Sequence, residues 1–410
     1  MMSTKSKLPS GWSLTQLEDI CIPKGLVRGP FGGALKKECF VENGYKVYEQ
    51  KNAIYRDVDL GVYFVDHKLY NSLKRFALKP RDFIVSCSGT IGRIFQIPDN
   101  AKEGIINQAL LKITTDRNIV DDSYFFQYFD WDRFQSKIID NTQGGAMQNL
   151  VGMDIFRKTE IPLPPLPEQK AIAQVLSTAD AAIQTTEKLI AQNELRKKWL
   201  MQQLLTGKKR LNGFENTKWK IQPLENFIKP IVREVPKPST PYLGIGLRSH
   251  GKGTFLKYDE QPEKNSMDNF YVVRPNDLIV NITFAWEQAI AIVRPEDDGA
   301  LASHRFPTYS FIEDKGHPDF FRFYILQPRM KFMLQMISPG GAGRNRVMSK
   351  SDFIKLEFLL PDYKEQTAIS QVLQAAEKEI SLLKTKAEKL RVQKKGLMQQ
   401  LLTGKVRLKI

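Results

Sequence analysis

Two segments of this 410-residue chain repeat each other nearly residue for residue. Residues 168–176, EQKAIAQVL, recur as 365–373, EQTAISQVL, and residues 201–208, MQQLLTGK, recur unchanged as 398–405. The offset is the same at both ends, since 365 − 168 and 398 − 201 are each 197. No insertion therefore separates the two ends of either copy. A repeat of this length constrains the architecture before any side-chain chemistry is considered.

Both repeated segments have the start and stop signals of one long helix. The first follows the proline-rich run PLPPLP at 162–167, and Glu168 stands where a first-turn carboxylate suits the helix dipole. In the second, Asp362 and Glu365 have the spacing of a capping box. Both should stop at the Thr-Gly pair of the repeated MQQLLTGK. These signals predict two helices of roughly 38 residues, about 57 Å long at 1.5 Å per residue.

The second helix carries a heptad pattern, which is typical of a coiled coil. Its seam positions are Ile369, Leu373, Ala376, Ile380, Leu383, Ala387, Leu390, Lys394, Leu397 and Leu401. The first helix begins in the same way from Ile172, but its stripe weakens or shifts where it meets Asn193 and Lys197. Two matched heptads in a head-to-tail repeat predict that the helices pack antiparallel on each other. The alternative is two unrelated amphipathic helices, each packed on its own domain.

Other helix residues allow two interpretations. Leu204-Leu205 and Leu401-Leu402, near the matched ends, are either docking points for two equivalent partners or core residues beneath the coiled coil. The basic runs Lys197-Lys198, Lys208-Lys209-Arg210 and Lys394-Lys395 either touch phosphate or face solvent or a partner protein. We favour solvent or partner contact for most of these cations.

The blocks between the helices have strand-like rather than helical patterns. Short apolar runs at 81–86 and 276–281 each follow a Lys-Pro or Arg-Pro turn, and Asp82 in the first block answers Asp277 in the second. We predict an α+β fold: two mixed α/β domains separated by two long helices that form an antiparallel coiled coil, with a pseudo-twofold internal repeat. The predicted boundaries are 1–162 for the first domain, 163–210 for the first helix, 211–360 for the second domain and 361–410 for the second helix.

The charge of the chain is strongly positive, with a formal net charge of +16 at pH 7 and an isoelectric point near 9.5. This predicts a polyanionic partner, with nucleic acid favoured over an acidic protein. The three cysteines, Cys21, Cys39 and Cys87, form no Cys-x-x-Cys pair. We interpret them as small apolar residues of a protein in a reducing cytosol. The sequence shows no signal-peptide pattern and no run of about 18 apolar residues. We therefore predict a cytoplasmic protein that does not enter a membrane.

Motifs for catalysis are absent from the sequence. There is no Gly-x-x-x-x-Gly-Lys-[Ser/Thr] phosphate loop and no Asn/Asp-Pro-Pro-Tyr/Phe loop of an adenine methyltransferase. Residues 49–51, Glu-Gln-Lys, resemble half of a nuclease motif, but no Pro-Asp lies at a suitable distance upstream. The histidines form no metal-ligand cluster; they are His67, His250, His304 and His317. We predict neither a catalytic site nor a metal site in this chain.

Several motifs occur together along the chain: Leu-Pro-Pro-Leu-Pro-Glu-Gln at 163–169, the Leu-Pro and Glu-Gln pairs within 360–366, and both Leu-Leu-Thr-Gly-Lys segments. With the alternation of domain and helix, this combination resembles the specificity subunit of type I restriction-modification systems over essentially the whole chain. The resemblance implies a non-catalytic subunit with two target-recognition domains. Each would recognise one half of a split, asymmetric DNA sequence, and the antiparallel helices would set the distance between the halves.

The resemblance also implies partners. They are double-stranded DNA, two adenine-N6 methyltransferase subunits and, in the full complex, two ATP-dependent restriction subunits that combine translocase and nuclease. No cofactor is expected in this chain, and S-adenosylmethionine, ATP and Mg would belong to the partner subunits.

Recognition of DNA needs Arg, Lys, Asn, Gln or His side chains on loops, with glycines that let the backbone approach phosphate. In the first domain the candidates are Arg28, Lys36, Lys37, Gln50, Lys51, Asn52, Arg93, Gln108, Gln143, Gln148 and Asn149. In the second domain they are Arg248, His250, Lys252, His304, Arg305, Arg344, Asn345 and Arg346. For each residue the alternative is an ordinary tight turn with a solvated side chain.

Two functions of other classes stay open at this point. One is a coiled-coil scaffold that joins two protein-binding domains, and the other is an enzyme whose site has no recognisable motif. Steeply salt-dependent binding to duplex DNA would distinguish recognition from the scaffold. Turnover by the purified chain would reveal the enzyme.

Overall fold

The chain forms two compact units. The computed structural model describes residues 8–31, 33–140, 149–340 and 346–409. The first unit combines Met1–Thr186 with Lys386–Ile410, and the second is Glu187–Thr385. Each unit therefore contains one mixed domain, part of the first long helix and part of the second. The predicted domain boundaries stay a prediction, because the division into units passes through both helices rather than between helix and domain.

The first unit contains twelve strands and five short α-helices in the part of the chain that the structure describes. The strands are β1 (Ser13–Gln16), β2 (Cys21–Arg28), β3 (Phe40–Val41), β4 (Tyr45–Tyr48), β5 (Phe64–Val65), β6 (Phe83–Ser86), β7 (Ile94–Gln96), β8 (Gly104–Ile106), β9 (Leu110–Thr115), β10 (Ile139–Asp140), β11 (Asn149–Leu150) and β12 (Glu160–Leu163). The short helices are α1 (Gln50–Tyr55), α2 (His67–Ser72), α3 (Asp122–Phe129), α4 (Asp132–Ile138) and α5 (Met153–Arg157), and the long helix α6 (Leu166–Leu204) follows.

Two four-stranded sheets build the first domain. One has the order β2-β9-β6-β7 with antiparallel neighbours, and the other has the order β3-β5-β4-β8 with β4 and β8 parallel. Aromatic side chains of α3 and α4 cover the first sheet, as when Phe125 approaches Phe83 with ring centroids 5.1 Å apart. Strand β1 pairs with β12, Ser13 opposite Leu163, so the domain begins and ends at the start of α6.

The second unit has the same framework. Its strands are β13 (Lys220–Pro223), β14 (Ile228–Ile231), β15 (Glu234–Pro236), β16 (Tyr242–Leu247), β17 (Thr254–Glu260), β18 (Asn269–Val272), β19 (Leu278–Val280), β20 (Ile290–Ile292), β21 (Leu301–Ala302), β22 (Thr308–Phe311) and β23 (Glu357–Leu360). Its helices are α7 (Pro318–Tyr324), α8 (Pro328–Met336) and α9 (Lys350–Ile354), and the long helix α10 (Tyr363–Leu401) follows. The sheet orders are β14-β22-β19-β20, which matches β2-β9-β6-β7, and β15-β18-β21-β16-β17.

The long helices α6 and α10 are each 39 residues, close to the length predicted from their start and stop signals. Within the second unit, Lys197 of α6 contacts Glu377 of α10, while Glu194, earlier in α6, contacts Lys384, later in α10. Residue numbers along α10 thus fall as those along α6 rise, so the two helices are antiparallel here. The α+β class and the antiparallel helix pair are confirmed, and the alternative of two helices that do not pack on each other is wrong.

Lysines on the helix seam are paired across it. Lys197 donates to the Glu377 carboxylate at 2.5 Å in the second unit, and Lys394 donates to both Asp180 oxygens at 2.7 and 2.8 Å in the first. The two pairs are related by the 197-residue repeat. This explains why the apolar stripe is interrupted at Lys197, and it corrects the expectation that these two lysines face solvent or a partner.

The leucines at the matched helix ends belong to the cores. Leu204 and Leu205 are 2% exposed in the core of the second unit, and Leu401 and Leu402 are 2% and 0% exposed in the core of the first. Side chains buried to this degree are not available to a partner. Of the two interpretations left open by the sequence, core packing is therefore correct.

A buried carboxylate joins three distant segments of the first unit. Glu168, in the first turn of α6, is 1% exposed. It accepts hydrogen bonds from the Trp12 indole at 3.0 Å and from two nitrogens of Arg407 at 2.7 and 2.6 Å. Trp12 precedes β1, and Arg407 follows α10. We call this group the first carboxylate clasp; it holds the start of the domain and the end of α10 to the start of α6.

The second carboxylate clasp repeats this arrangement in the second unit. Glu365, also 1% exposed, accepts hydrogen bonds from Trp219 at 2.9 Å and from Arg210 at 2.7 and 2.6 Å. Asp362 caps the helix by accepting from the Glu365 backbone N–H at 2.9 Å. The reciprocal half of the predicted capping box is not made, because the Glu365 side chain is used in the clasp. The side chain of Arg210 therefore does not face solvent.

Removal of the Glu365 charge should destabilise the second unit strongly. In Glu365→Gln the Arg210 guanidinium, only 18% exposed, loses its counter-charge. Breaking one side of a buried pair costs about 3–5 kcal/mol. The free energy of unfolding from urea denaturation measures this. The matched control is Glu379→Gln, whose contact with Arg196 is 3.9 Å long and largely exposed, and which should cost less than about 1 kcal/mol. Equal losses of unfolding free energy in the two variants would show that the clasp stabilises the unit no more than a surface ion pair does.

Acid should weaken the contact between Lys197 and Glu377. Burial raises the pKa of Glu377, but the hydrogen bond from Lys197 and the charges of Arg322 and Lys197 outweigh it, so the pKa lies below the ordinary 4.5. A carboxylate whose pKa is depressed by folding stabilises the protein above about pH 4.5, and this contribution disappears as the pH falls through the folded-state pKa. The melting temperature of Glu377→Gln should therefore fall less steeply below about pH 5 than that of the unmodified chain. If the melting temperatures of the two proteins fell equally steeply below about pH 5, this assignment would be wrong.

Candidate nucleic-acid interface

Three loops and the start of helix α1 meet at one edge of the sheets of the first unit. They follow β2, β4, β6 and β8, and the backbone of residues 107–110 connects them. Gly29 N–H donates to the Leu110 carbonyl, and Asn107 N–H donates to the Tyr48 carbonyl, both at 2.9 Å. Cys87 N–H donates to the Ala109 carbonyl, also at 2.9 Å. We call the segments 28–31, 49–52, 87–93 and 107–110 the first polar edge. The candidates Gln50, Lys51 and Asn52 lie in the first turn of helix α1 and not in the loop that the sequence predicted.

Close approach of two backbones makes Gly29 necessary at this edge. A Cβ atom at position 29 would lie 1.8 Å from the Asn107 carbonyl oxygen. Arg28 and Gln108 are therefore held on neighbouring segments. Two residues that contact the same ligand must lie close together in this way. The proximity of the two segments could not be deduced from their separation in sequence.

Several predicted residues lie at or near the first polar edge with polar atoms to spare. Arg93 and Gln108 are exposed within it, and Lys36 and Lys37 are exposed just after residue 31. Within the described part of the chain, the Nε atom of Arg28 and the Oε1 atom of Gln50 are buried without a hydrogen-bond partner. Lys51 forms an ion pair with Glu49 at 2.8 Å. The unpaired guanidinium nitrogen and the unpaired amide oxygen belong to half-buried side chains, and they are groups that a ligand could satisfy.

Asn52 has a different position from the other candidates. It is 0% exposed, and its amide accepts from Glu49 N–H at 2.8 Å and donates to the carbonyls of Asp57 and Leu60 at 2.8 and 2.7 Å. These bonds hold the loop after α1. In this conformation the Asn52 side chain cannot reach a base edge, because it is buried and its amide is already hydrogen-bonded. The sequence could not show this, since side-chain burial is not visible in a local motif.

Some candidates fall outside what the structure describes. Gln143, Gln148, Arg344 and Asn345 lie outside the described residues, and for Asn149 only the backbone in β11 is described. Their assignment to DNA contact stays a prediction.

In the second unit, the candidates surround the loop between β19 and β20, residues 281–288, here named the central loop. The tip of the β16–β17 hairpin, residues 248–253, docks on it: His250 N–H donates to the Glu287 carbonyl at 2.7 Å and Gly251 N–H to the Gln288 carbonyl at 2.9 Å. The Ser249 hydroxyl donates to the Glu287 carboxylate at 2.5 Å. The central loop thus fixes the position of the hairpin tip.

The remaining cations of the second unit also lie against the central loop. Ile282 N–H donates to the Arg305 carbonyl at 3.0 Å, which places the exposed His304 and Arg305 beside it. The Arg346 guanidinium lies over the Trp286 ring, 5.3 Å from its centroid. We call the hairpin tip, the central loop, residues 303–306 and Arg346 the second polar edge.

Arg248 and Lys252 differ in how they are held. The Arg248 guanidinium donates to the Thr254 carbonyl at 2.8 Å and lies 5.0 Å from the centroid of the Phe255 ring, whereas Lys252 is exposed. Arg248 is thus oriented by its own hairpin. A planar guanidinium fixed in this way keeps free N–H donors for a further acceptor.

No motif in the sequence pointed to the central loop, which includes Trp286 and Glu287. A signal for it was available in the repeat. Asp82 and Asp277 correspond, and each precedes the strand that leads into one of these loops, so the Gly-rich loop 87–93 corresponds to residues 282–288. The second copy lacks the glycines and was overlooked for that reason.

Two of the three cysteine thiols, those of Cys21 and Cys87, are buried. Burial raises the pKa of the Cys21 thiol to about 12 and that of Cys87 to about 11, which suits the predicted role of small apolar residues. Among the described residues, no three His, Cys, Asp or Glu side chains are grouped so that they could hold a metal ion. In the same part of the chain, no helix is both long and apolar enough to cross a membrane.

Solved structures with similar folds cover nearly all of the chain. One is the HsdS subunit from Thermoanaerobacter tengcongensis, with a TM-score of 0.53 at 15% identity over 99% of this chain and 100% of that one. Another comes from work titled as the structural basis of complex assembly and conformational transition of the type I R-M system, with a TM-score of 0.57 at 15% identity over 98% and 100% of the two chains. At this level of identity the likeness concerns the fold.

Two curated relatives come from Methanocaldococcus jannaschii. The type I restriction enzyme MjaVIII specificity subunit is 24% identical over 82% of this chain and 81% of its own length. The putative type I restriction enzyme MjaX specificity subunit is 28% identical over 64% of this chain, and the match spans 63% of that relative. The type I restriction modification DNA specificity domain matches residues 9–195 and 234–392. These matches cover most of both repeats, and the chain belongs to this type I DNA specificity family.

Proposed function

We propose that this chain is a non-catalytic subunit that gives a type I restriction-modification complex its DNA sequence specificity. In this proposal each mixed domain recognises one half of a bipartite, asymmetric site. The observation that carries the proposal is the contrast between a repeated framework and two different polar edges. Both units share the four-stranded sheet order and the carboxylate clasp, but α1 follows β4 in the first unit and a hairpin follows β16 in the second.

The net charge of +16 supports DNA as the ligand of both polar edges. The guanidinium of Arg28 has one nitrogen without a partner, and those of Arg248 and Arg346 lie over aromatic rings. Such groups are suited to phosphate or to a guanine edge. Because the two edges use different residues, the two half-sites should differ in sequence. A scaffold for two acidic proteins would also use positive charge, but it would not need loop side chains arranged around strand ends.

The long helices would set the spacing between the half-sites. Their equal length and uninterrupted repeat support this role, since any insertion would change the separation that they impose. The paired lysines on the seam also favour one register, because a shift of one helix along the other would leave these partly buried charges unpaired.

Two equivalent partner subunits would dock near the matched helix ends. Gln202 and Lys208 recur as Gln399 and Lys405, and all four side chains are exposed. Exposed identity between two diverged repeats is not required for folding. In the second unit, Gln202 and Lys208 line a groove of about 520 Å³ together with Tyr324 and neighbouring residues. We assign these surfaces to the two methyltransferase subunits.

The remaining components would be brought by the partners. Two restriction subunits, with translocase and nuclease activity, would complete the full complex. S-adenosylmethionine would bind to the methyltransferases, and ATP and Mg would be needed by the restriction subunits.

Methylation mapping tests the proposed function. Single-molecule sequencing of DNA from cells that express the methyltransferase with this chain should reveal a split motif with N6-methyladenine in both halves. Omission of the chain should abolish the motif. A single contiguous short site would contradict the bipartite proposal, and unchanged methylation despite an assembled, active complex would favour the scaffold.

Charge reversal at one helix end should remove one partner. In Lys208→Glu, native mass spectrometry of the co-expressed complex should show one methyltransferase subunit instead of two, because only one of the two repeated surfaces is altered. Lys405→Glu should do the same, and the double variant should lose both subunits. Lys188→Glu, at another exposed position of α6, is the control and should keep both. Retention of two subunits in the double variant would exclude these surfaces.

A further inference from the structure

The same position in the two domains carries different structural elements. Strand β4 lies parallel to β8 in the first unit, and β16 lies parallel to β21 in the second. These strands therefore correspond. After β4 the chain enters helix α1, whereas after β16 it turns back as strand β17, with Leu247 opposite Thr254. The second polar edge thus has a two-stranded ribbon that the first lacks.

The tip of this ribbon is held rigidly against the central loop. Three hydrogen bonds dock it, from Ser249 Oγ to the Glu287 carboxylate and from the backbone N–H groups of His250 and Gly251 to the carbonyls of Glu287 and Gln288, at 2.5 to 2.9 Å. The central loop is itself fixed, because the Gln288 side chain donates to the Ile325 carbonyl at 2.8 Å. A rigid tip loses little conformational freedom on binding.

The backbone of the tip leaves the His250 side chain on the outer surface. His250 has φ +62°, in the left-handed region, and Gly251 follows with φ +64°. A Cβ atom at position 251 would lie 2.5 Å from the Leu326 side chain, so the tip is packed closely on its inner side. The His250 ring is exposed, and it makes no hydrogen bond within the part of the chain that the structure describes. Its ring nitrogens are therefore free for an external partner.

Cations stand on both sides of His250. Lys252 is exposed, and Arg248 is oriented by Thr254 and Phe255. This places positive charge beside a free imidazole at the end of a narrow, two-stranded element. The major groove of B-DNA, about 12 Å wide, admits a two-stranded β-ribbon, with phosphates on either side.

We propose that the β16–β17 hairpin enters the major groove of the second half-site, with His250 recognising a base and Glu287 acting as a positioning residue. The proposal rests on the proposed function of the chain. A ring N–H of His250 donates to a purine acceptor, N7 or the O6 of guanine, while Arg248 and Lys252 contact phosphate. Glu287 touches no base; through Ser249 and the His250 backbone it fixes where the imidazole lies.

The test uses the complete methyltransferase complex and DNA variants with one base pair changed at a time. The first substitution is His250→Gly, because glycine adopts the left-handed backbone without strain and removes only the ring. It should lower discrimination at one base pair of the second half-site by about tenfold, and leave the first half-site unchanged. Lys257→Ala, on β17 away from the tip, is the matched control and should keep full discrimination.

The positioning role is tested separately. Ser249→Ala should reduce discrimination at the same base pair as His250→Gly, with an unchanged melting temperature, and Ser249→Thr should restore it by returning the hydroxyl. Glu287→Ala, which removes the acceptor of the Ser249 hydroxyl, should weaken discrimination in the same way as Ser249→Ala. If these residues had a purely structural role, the variants would lower the melting temperature without reducing discrimination at that one base pair. That result would overturn the positioning role.

Two further outcomes separate the inference from the proposed function. Full discrimination at every position of the second half-site in His250→Gly would overturn the hairpin inference while the proposed function stands. Absence of sequence-specific methylation by the unmodified complex would defeat the proposed function itself.

Discussion

A buried carboxylate at the start of each long helix is the contact on which each unit depends. Glu168 and Glu365 are almost fully shielded from water, and each joins an indole from the start of the domain to an arginine beyond the end of the other helix. A buried charge without its partner is costly, so the three segments stay together or the unit loses several kcal/mol, about 3–5. The clasp therefore couples the domain to both helices.

The residue after each of these glutamates is a buried glutamine, Gln169 or Gln366, whose amide also joins separate segments. Gln169 accepts from Asp121 N–H at 2.8 Å, and Gln366 accepts from His317 N–H at 2.9 Å. Each amide also donates to the carbonyl of a proline just before its helix. The Glu-Gln pair is thus kept in both copies because both side chains are buried in equivalent networks. The polar edges carry no such constraint, which allows them to differ between the units.

Much of the framework could be predicted from the sequence because it rests on local patterns. The repeat, the proline-rich starts and the heptad indicated two long antiparallel helices, and the structure has them. The partners of the seam lysines could not be predicted, since Asp180 and Glu377 each lie on the other helix. The contacts of loop side chains were still harder to predict. Asn52 and Gln50 are two residues apart, yet one is used up in backbone bonds and the other keeps a free oxygen, because side-chain direction is set by tertiary contacts. The central loop was missed since its glycines are replaced.

Exchange of one domain tests the central claim that one framework carries two independent recognition surfaces. Residues 13–163 and 220–360 are each closed by a matching antiparallel pair, Ser13 with Leu163 and Lys220 with Leu360. A chain in which the second segment replaces the first, co-expressed with the methyltransferase, should methylate a symmetric site built from two copies of the second half-site. Methylation of the original asymmetric site, or loss of all methylation by a complex that still assembles, would contradict the account.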